Sequence, residues 1–228
     1  MCSSDLVILT AQGAGDLMAS AINQKGVITA KSLGTTDTGK IQLSIAKKGT
    51  LTVEGSLDVS SPKGKGGTVE LTAESIKLTS TSNINASGAK GGGTVLVGGD
   101  WQGSGSLPQA KSVSMAEGAL INASATCKGD GGKVVLWSDI HNAESITAVK
   151  GLIKASAGIN GGNGGRVETS GKILDAEGAT VLAGTTSGRS GLWLLDPDNL
   201  TIDAAGRTSI TNSLNNGTSV EINTTSDR

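Results

Sequence analysis

Apolar and polar residues alternate along most of this chain with a period of two. In Gly165-Arg166-Val167-Glu168-Thr169 the side chains of Val167 and Thr169 face one way, and those of Arg166 and Glu168 the other, as a half-buried strand requires. A glycine-asparagine corner, Gly161-Gly162-Asn163-Gly164-Gly165, leads into that strand. A second corner at Gly171 is expected to feed the next, Lys172-Ile173-Leu174-Asp175. Apolar stripes at helical spacing are missing, so strand is predicted nearly everywhere. The exception is Thr208–Asn215, which reads as one short helical turn.

The unit recurs. Glycine corners open alternating strands at Gly39, Gly67, Gly93, Gly132 and Gly165, and the steps from Val69 to Val95, Val134 and Val167 are about 26, 39 and 33 residues, within the range of repeat architectures. A second strand follows in each unit, as in Glu74–Leu78, Lys111–Met115 and Glu144–Ala148, with Ile76, Val113 and Ile146 at matching places. A third carries Ile-x-Ala-Ser, as at Ile84–Ser87, Ile121–Ser124 and Ile153–Ser156. Hairpins would give a sandwich or propeller. Same-direction coiling would place like residues over like, one coil apart at about 4.8 Å. The matched residues favour the second arrangement. The prediction is an all-β, right-handed parallel β-helix, a single chain of stacked coils, the handedness following the rule for parallel connections. Small Ala and Ser suit a narrow interior, and Gly and Asn suit corners of positive φ.

Composition sharpens this. The 228 residues include no Phe or Tyr and three Trp (Trp101, Trp137 and Trp193), with 35 Gly and 3 Pro. Val, Ile, Leu, Ala and Thr must therefore fill the core in thin layers. Without a strict G-x-y triplet, collagen is excluded. Lys+Arg of 19 against Asp+Glu of 20 removes the bulk electrostatic case for nucleic acid or an anionic membrane. No apolar run approaches the ~18 residues of a membrane span. Cys2 and Cys127 fit no metal or redox spacing.

At this point a family resemblance rests on named residues. Val97-Gly98-Gly99-Asp100-Trp101-Gln102-Gly103, Ala119–Ala125, Gly129–Asp139, Gly164–Gly171 and Trp193-Leu194-Leu195-Asp196-Pro197 occur in that order. The series resembles the repeat region of the passenger in filamentous-haemagglutinin-like adhesins of Gram-negative bacteria, which leave the cell by two-partner secretion. The resemblance covers about Gly34 to Asp203. It implies a right-handed parallel β-helix in a secreted or surface-displayed, outer-membrane-associated adhesin. A dedicated outer-membrane transporter barrel is the implied export partner, and a receptor or glycan on a host or bacterial surface the implied ligand. The family's N-terminal secretion domain and its Asn-Pro motifs are expected to be missing. Residues 1–6 read as a non-native, adapter-derived segment, 7–203 as the β-helix repeat region, and 204–228 as the truncated start of a further β-rich segment.

Candidate chemistry is weighed against turn structure. His141, the only histidine, lies in a loop without metal-ligating neighbours. Asp100, Asp139, Asp175, Asp196 and Asp203 would be the acids of a carbohydrate-active β-helix enzyme, but their places beside corners fit turn hydrogen bonding. Gly158–Gly165 lacks the following helix of a phosphate cradle. Sequons start at Asn85, Asn122, Asn199, Asn216 and Asn223 and read as corner residues. Trp137 should face outward if Leu136 faces inward, covering a loop such as Ile140–Ala143. The expectation is a non-enzymatic structural and adhesive segment with no catalytic, cofactor or metal residues. Its specificity would lie in Gly98–Ala110 and Ser138–Glu144. A carbohydrate-active enzyme, or the stalk of a contact-dependent inhibition toxin, is the alternative.

Overall fold

The computed structural model describes residues 5–12, 20–32, 34–35, 38–46, 48–200 and 202–224. Residues 1–4 of the expected non-native segment, including Cys2, lie outside the described residues, as do Thr201 and Thr225 of two sequons. The chain winds in coils of three short strands. The first holds β1 (Leu6–Ala11), β2 (Ser20–Gln24) and β3 (Val27–Thr29), and the second β4 (Lys40–Ile45), β5 (Gly49–Val53) and β6 (Ser56–Asp58). Next come β7 (Thr68–Thr72), β8 (Ser75–Leu78) and β9 (Asn83–Asn85), then β10 (Thr94–Val97), β11 (Ser112–Met115) and β12 (Leu120–Asn122). The following coil has β13 (Lys133–Trp137), β14 (Ile146–Val149) and β15 (Leu152–Lys154). After it come β16 (Arg166–Asp175), β17 (Thr180–Leu182), β18 (Leu192–Asn199), the helix α1 (Ala204–Asn215) and β19 (Ser219–Ile222).

Each strand pairs in parallel with its counterpart one coil away, which makes the molecule a parallel β-helix. The first face runs β1-β4-β7-β10-β13-β16, and the third β3-β6-β9-β12-β15-β17. Along the first face Ile41, Val69, Val95, Val134, Val167 and Trp193 lie in register. All six are fully buried, so they form the continuous interior column that the repeats predicted. Leu57, Ile84, Ile121, Ile153 and Val181 make a matching column on the third face. Each buried Val, Leu or Ile of this kind contributes roughly 1.5–3 kcal/mol.

Four details differ from the pattern read in the sequence. On the second face Val113 pairs with Thr147, not Ile146. Ile146 is therefore turned outward at 38% exposure, and Thr147 lies inside with its hydroxyl donating to the Ser170 carbonyl at 2.8 Å. The buried Ser138 hydroxyl, 2.9 Å from Thr147 Oγ1, accommodates a threonine there where isoleucine would remove its hydrogen-bond partner. At Gly171 the chain does not break into two strands. β16 continues through it, pairing with β13 before and with β14 after. Many corner glycines, such as Gly93 and Gly132, do not have positive φ. They are required by close approach, since a Cβ on Gly132 would overlap the Gly93 carbonyl oxygen of the preceding coil. Lastly, the expected helical turn is the 12-residue α1, starting at its N-cap Asp203.

Candidate interaction surface

The residues between β10 and β11 leave the coil and fold back over the outside of the first face. β13 decides where they go. Val134 and Leu136 point into the main core, whereas Val135 and Trp137 point outward and join Leu96 in a second buried cluster. An exposed tryptophan and two exposed aliphatics on one sheet face would be costly, and the loop covers them. Gly98 makes the turn with φ of +78, where any Cβ would also meet the Trp137 carbonyl. Trp101 and Leu107 of the loop, and Ile140 from the Ser138–Glu144 stretch, pack against the cluster. Trp137 thus covers a loop, as expected, but chiefly the one at 98–110, with Ile140 as the smaller contact.

Polar contacts fasten this cover. Trp137 Nε1 donates to Gln109 Oε1 at 2.9 Å. The Asp100 carboxylate accepts from the Trp101 N–H at 2.7 Å and from Lys133 Nζ at 2.7 Å. Partial burial pushes the Asp100 carboxyl up, but the Lys133 ammonium and the Trp101 N–H outweigh it and hold the group below its ordinary value. Gln102 has left-handed φ and ψ of 52 and 36, and its N–H donates to Glu168 Oε2 at 2.8 Å. Glu168 is fully buried and also accepts from Ser170 Oγ at 3.0 Å. Over the top, the Arg166 guanidinium lies 5.1 Å from the Trp101 ring centroid, in cation–π range. The half-buried Trp101 and exposed Arg166 form the outward surface of this feature. Sequence reasoning placed Arg166 and Glu168 outward and named Gln109 only within Gly98–Ala110, and it did not bring these residues together. Glu168 occupies an ordinary outward strand position, and only contact with a loop 66 residues away in sequence gives it a role.

The other candidates resolve into turn chemistry. Asp139 accepts from the His141 N–H at 3.0 Å, and His141 is exposed on its loop. Asp175 accepts from the Glu177 N–H at 3.0 Å and pairs with Lys150 at 3.4 Å. Asp203 caps α1, accepting from the Ala205 and Gly206 N–H groups at 2.9 Å each. Asp196 is buried. Asn85 and Asn122 accept from the Ser87 and Ser124 N–H groups two residues on, which accounts for two sequons as corner structure. Asp175 and Glu177 edge a cleft of about 230 Å³ between the last coil and α1, with the fully buried Trp193 behind its lining. Trp193 itself is interior, its Nε1 donating to Thr169 Oγ1 at 3.0 Å. Of the three tryptophans, only Trp101 presents any ring surface to a ligand. The glycine run Gly158–Gly165 leads into β16, a strand. No helix among the described residues is long and apolar enough to cross a membrane.

No family model matches the chain, and no curated protein matches it. Among solved structures, it is similar to the crystal structure of the HMW1 secretion domain from Haemophilus influenzae, with 31% identity and a TM-score of 0.62 over 83% of this chain. The likeness is to a secretion domain. It supports a relation to two-partner secretion adhesins and does not single out their repeat region. The chain spans about half, 48%, of the length of that structure.

Proposed function

We propose that this chain is a structural and adhesive β-helix segment of a large secreted bacterial exoprotein, exported by the two-partner route through a dedicated outer-membrane barrel. The observation that carries this reading is the 31% identity to the HMW1 secretion domain across 83% of the chain. The architecture is suited to such export. Each coil offers its free edge as the template for the next, so the chain can fold strand by strand as it emerges. Once folded, the axial ladders make a stiff rod, and the Trp101–Arg166 feature on the first face is the surface for a receptor or glycan at a host or bacterial surface. The turn-bonded acids at the corners support a non-catalytic role.

A chimera tests the export half of the proposal. The matched segment of the HMW1 secretion domain is replaced by this chain and expressed with the transporter barrel of HMW1. Secretion into the medium within about tenfold of the parent domain is expected. Retention in the periplasm of a folded, protease-resistant chimera would count against the assignment.

A further inference from the structure

We infer that the corner between the third and first faces carries a binding groove for a linear acidic polysaccharide, gripped by a row of lysines stacked along the helix axis. The loops at this corner stack by backbone hydrogen bonds. Lys90 N donates to Gly64 O at 2.9 Å, so Lys90 sits over the Lys63-Gly64-Lys65 turn, and Lys128 N donates to Ala89 O at 2.9 Å, one coil further. Ser61, Gly88 and Ala125 bridge in parallel at the start of the same loops. Lys63, Lys65, Lys90 and Lys128 are exposed. None joins the ion pairs found among the described residues, which engage Lys25, Lys31, Lys40, Lys111, Lys133, Lys150 and Lys172. Between them lies a groove of about 680 Å³, with Pro62, Ala89 and Cys127 in its walls beside Lys63, Lys90 and Lys128.

Charge and shape together choose the occupant. The chain as a whole is nearly neutral, at −1. Within the described loops 60–66, 87–93 and 124–132 the only acid is Asp130, and it is engaged with the Asn163 N–H at 2.7 Å. Lysines on successive coils stand about 4.8 Å apart at the backbone, and their like charges repel one another. An anion held along the row relieves that repulsion at every coil. The row runs along the axis across successive coils, so the complementary ligand is a linear polymer with regularly spaced anionic groups. The groove has no aromatic side chain on which nucleic-acid bases could stack. Among the described residues of its lining there is also no large apolar side chain to enter a lipid surface.

The 228-residue chain is titrated with dextran sulfate, polygalacturonate and uncharged dextran at 50 and 200 mM NaCl, and with vesicles of anionic phospholipid. Binding to one or both acidic polymers and not to dextran is expected. The two acidic polymers distinguish sulfate from carboxylate as the recognised group. The triple variant Lys63→Gln, Lys90→Gln, Lys128→Gln should bind at least tenfold more weakly and show a shallower salt dependence. A control triple of the same charge change outside the three corner loops, Lys48→Gln, Lys77→Gln, Lys154→Gln, should stay within about twofold of the parent. Equal weakening in both triples would reduce the effect to overall charge and overturn the inference. So would binding to the vesicles alone, or no binding to either acidic polymer. Circular dichroism of both triples separates loss of binding from loss of fold. The inference is independent of the export reading, because it needs only the folded chain.

Discussion

At the residue scale this fold depends on positions where a side chain must be absent as much as on those where one is buried. Gly132 and Gly26 make a controlled pair. A Cβ on Gly132 would overlap the Gly93 carbonyl of the neighbouring coil, whereas a Cβ on Gly26 meets nothing within 4 Å. Gly132→Ala should therefore destabilise by about 1–3 kcal/mol as forced overpacking does, and Gly26→Ala should be close to neutral. Urea midpoints of the two variants read the difference, and equal midpoints would contradict the close-approach argument. The second cluster gives another test. Trp137→Phe keeps the apolar ring but loses the bond to Gln109 Oε1. It should free the 98–110 loop to early thermolysin cleavage while leaving the coil intact, and unchanged cleavage would mean that the bond does not hold the loop. The glycine corners were visible in the sequence, yet their reason was only partly so. Positive φ belongs to glycines such as Gly161 and Gly162, whereas Gly93 and Gly132 answer to a neighbouring coil that no local pattern reveals.

At the element scale, α1 closes an edge that the repeats leave open. β17 is the last strand of the third face, and the N–H groups in and beside it that point to the open edge would have no partner. The Gly178 N–H donates to Ser209 Oγ at 2.9 Å, the Val181 N–H to Ser213 Oγ at 3.2 Å, and the Ala183 N–H to Thr218 Oγ1 at 2.8 Å. Ser209 and Ser213 stand four apart, on one face of the helix. Ser213→Ala leaves a buried N–H unsatisfied and should cost about 1–3 kcal/mol, seen as faster amide exchange at Val181, whereas unchanged exchange there would deny the capping role. The start of α1 adds a pH dependence. The Asp203 charge raises the Glu177 carboxyl above its ordinary 4.5, Asp175 adding to this and Lys150 opposing it. The Gly206 N–H, with help from Glu177 and Ala205, lowers Asp203 below 3.8. A raised acid contributes stability that is lost as pH climbs through its folded value. A lowered one contributes stability that is lost as pH falls through its own. Both contributions are present together only near pH 3.8–4.5, and the helix start should loosen on either side. The pair is exposed, so the effect is small and screened by salt. Protection of the Ala205 and Gly206 amides, corrected for intrinsic exchange, should fall above pH 4.5 in the parent and stay flat in Glu177→Gln. Identical profiles would remove the pair from the account. None of this was legible in Thr208–Asn215, because serines and threonines read locally as turn formers, and their partners lie in and beside β17.

At the scale of the whole molecule, the solenoid was legible because it is built from one repeated demand. Val69, Val95, Val134 and Val167 carry the same residue at the same place in each unit, and stacking them needs no long-range information beyond the repeat itself. Where the repeat is interrupted, legibility fails, as with Thr147 displacing Ile146 after the Ser138–Ser145 excursion. The same one-dimensional build governs stability. Each coil contacts mainly its neighbours, so stability is a sum of coil and interface terms, and ends unfold more readily than the middle. The two ends are unequal. On β1 the outermost coil exposes Leu6, Ile8 and Leu9 by 59%, 54% and 43%, and its inward residues Val7, Ala11, Ile22 and Ile28 are only partly buried. At the other end, α1 and its hydroxyls cover the third face. Hydrogen exchange should therefore be fastest in β1–β3, slowest in β7–β16, and intermediate in β17, whose edge is capped. Deleting residues 203–228 should bring β17 down to the protection of β3 and promote concentration-dependent association through the bared edge, measured by exchange mass spectrometry and gel filtration. A truncated chain that stays monomeric with β17 still protected would show that the last coil holds its edge without the helix. In that case the hydroxyl contacts would be a consequence of docking, and the stability of the end would reside in the Trp193 interior instead.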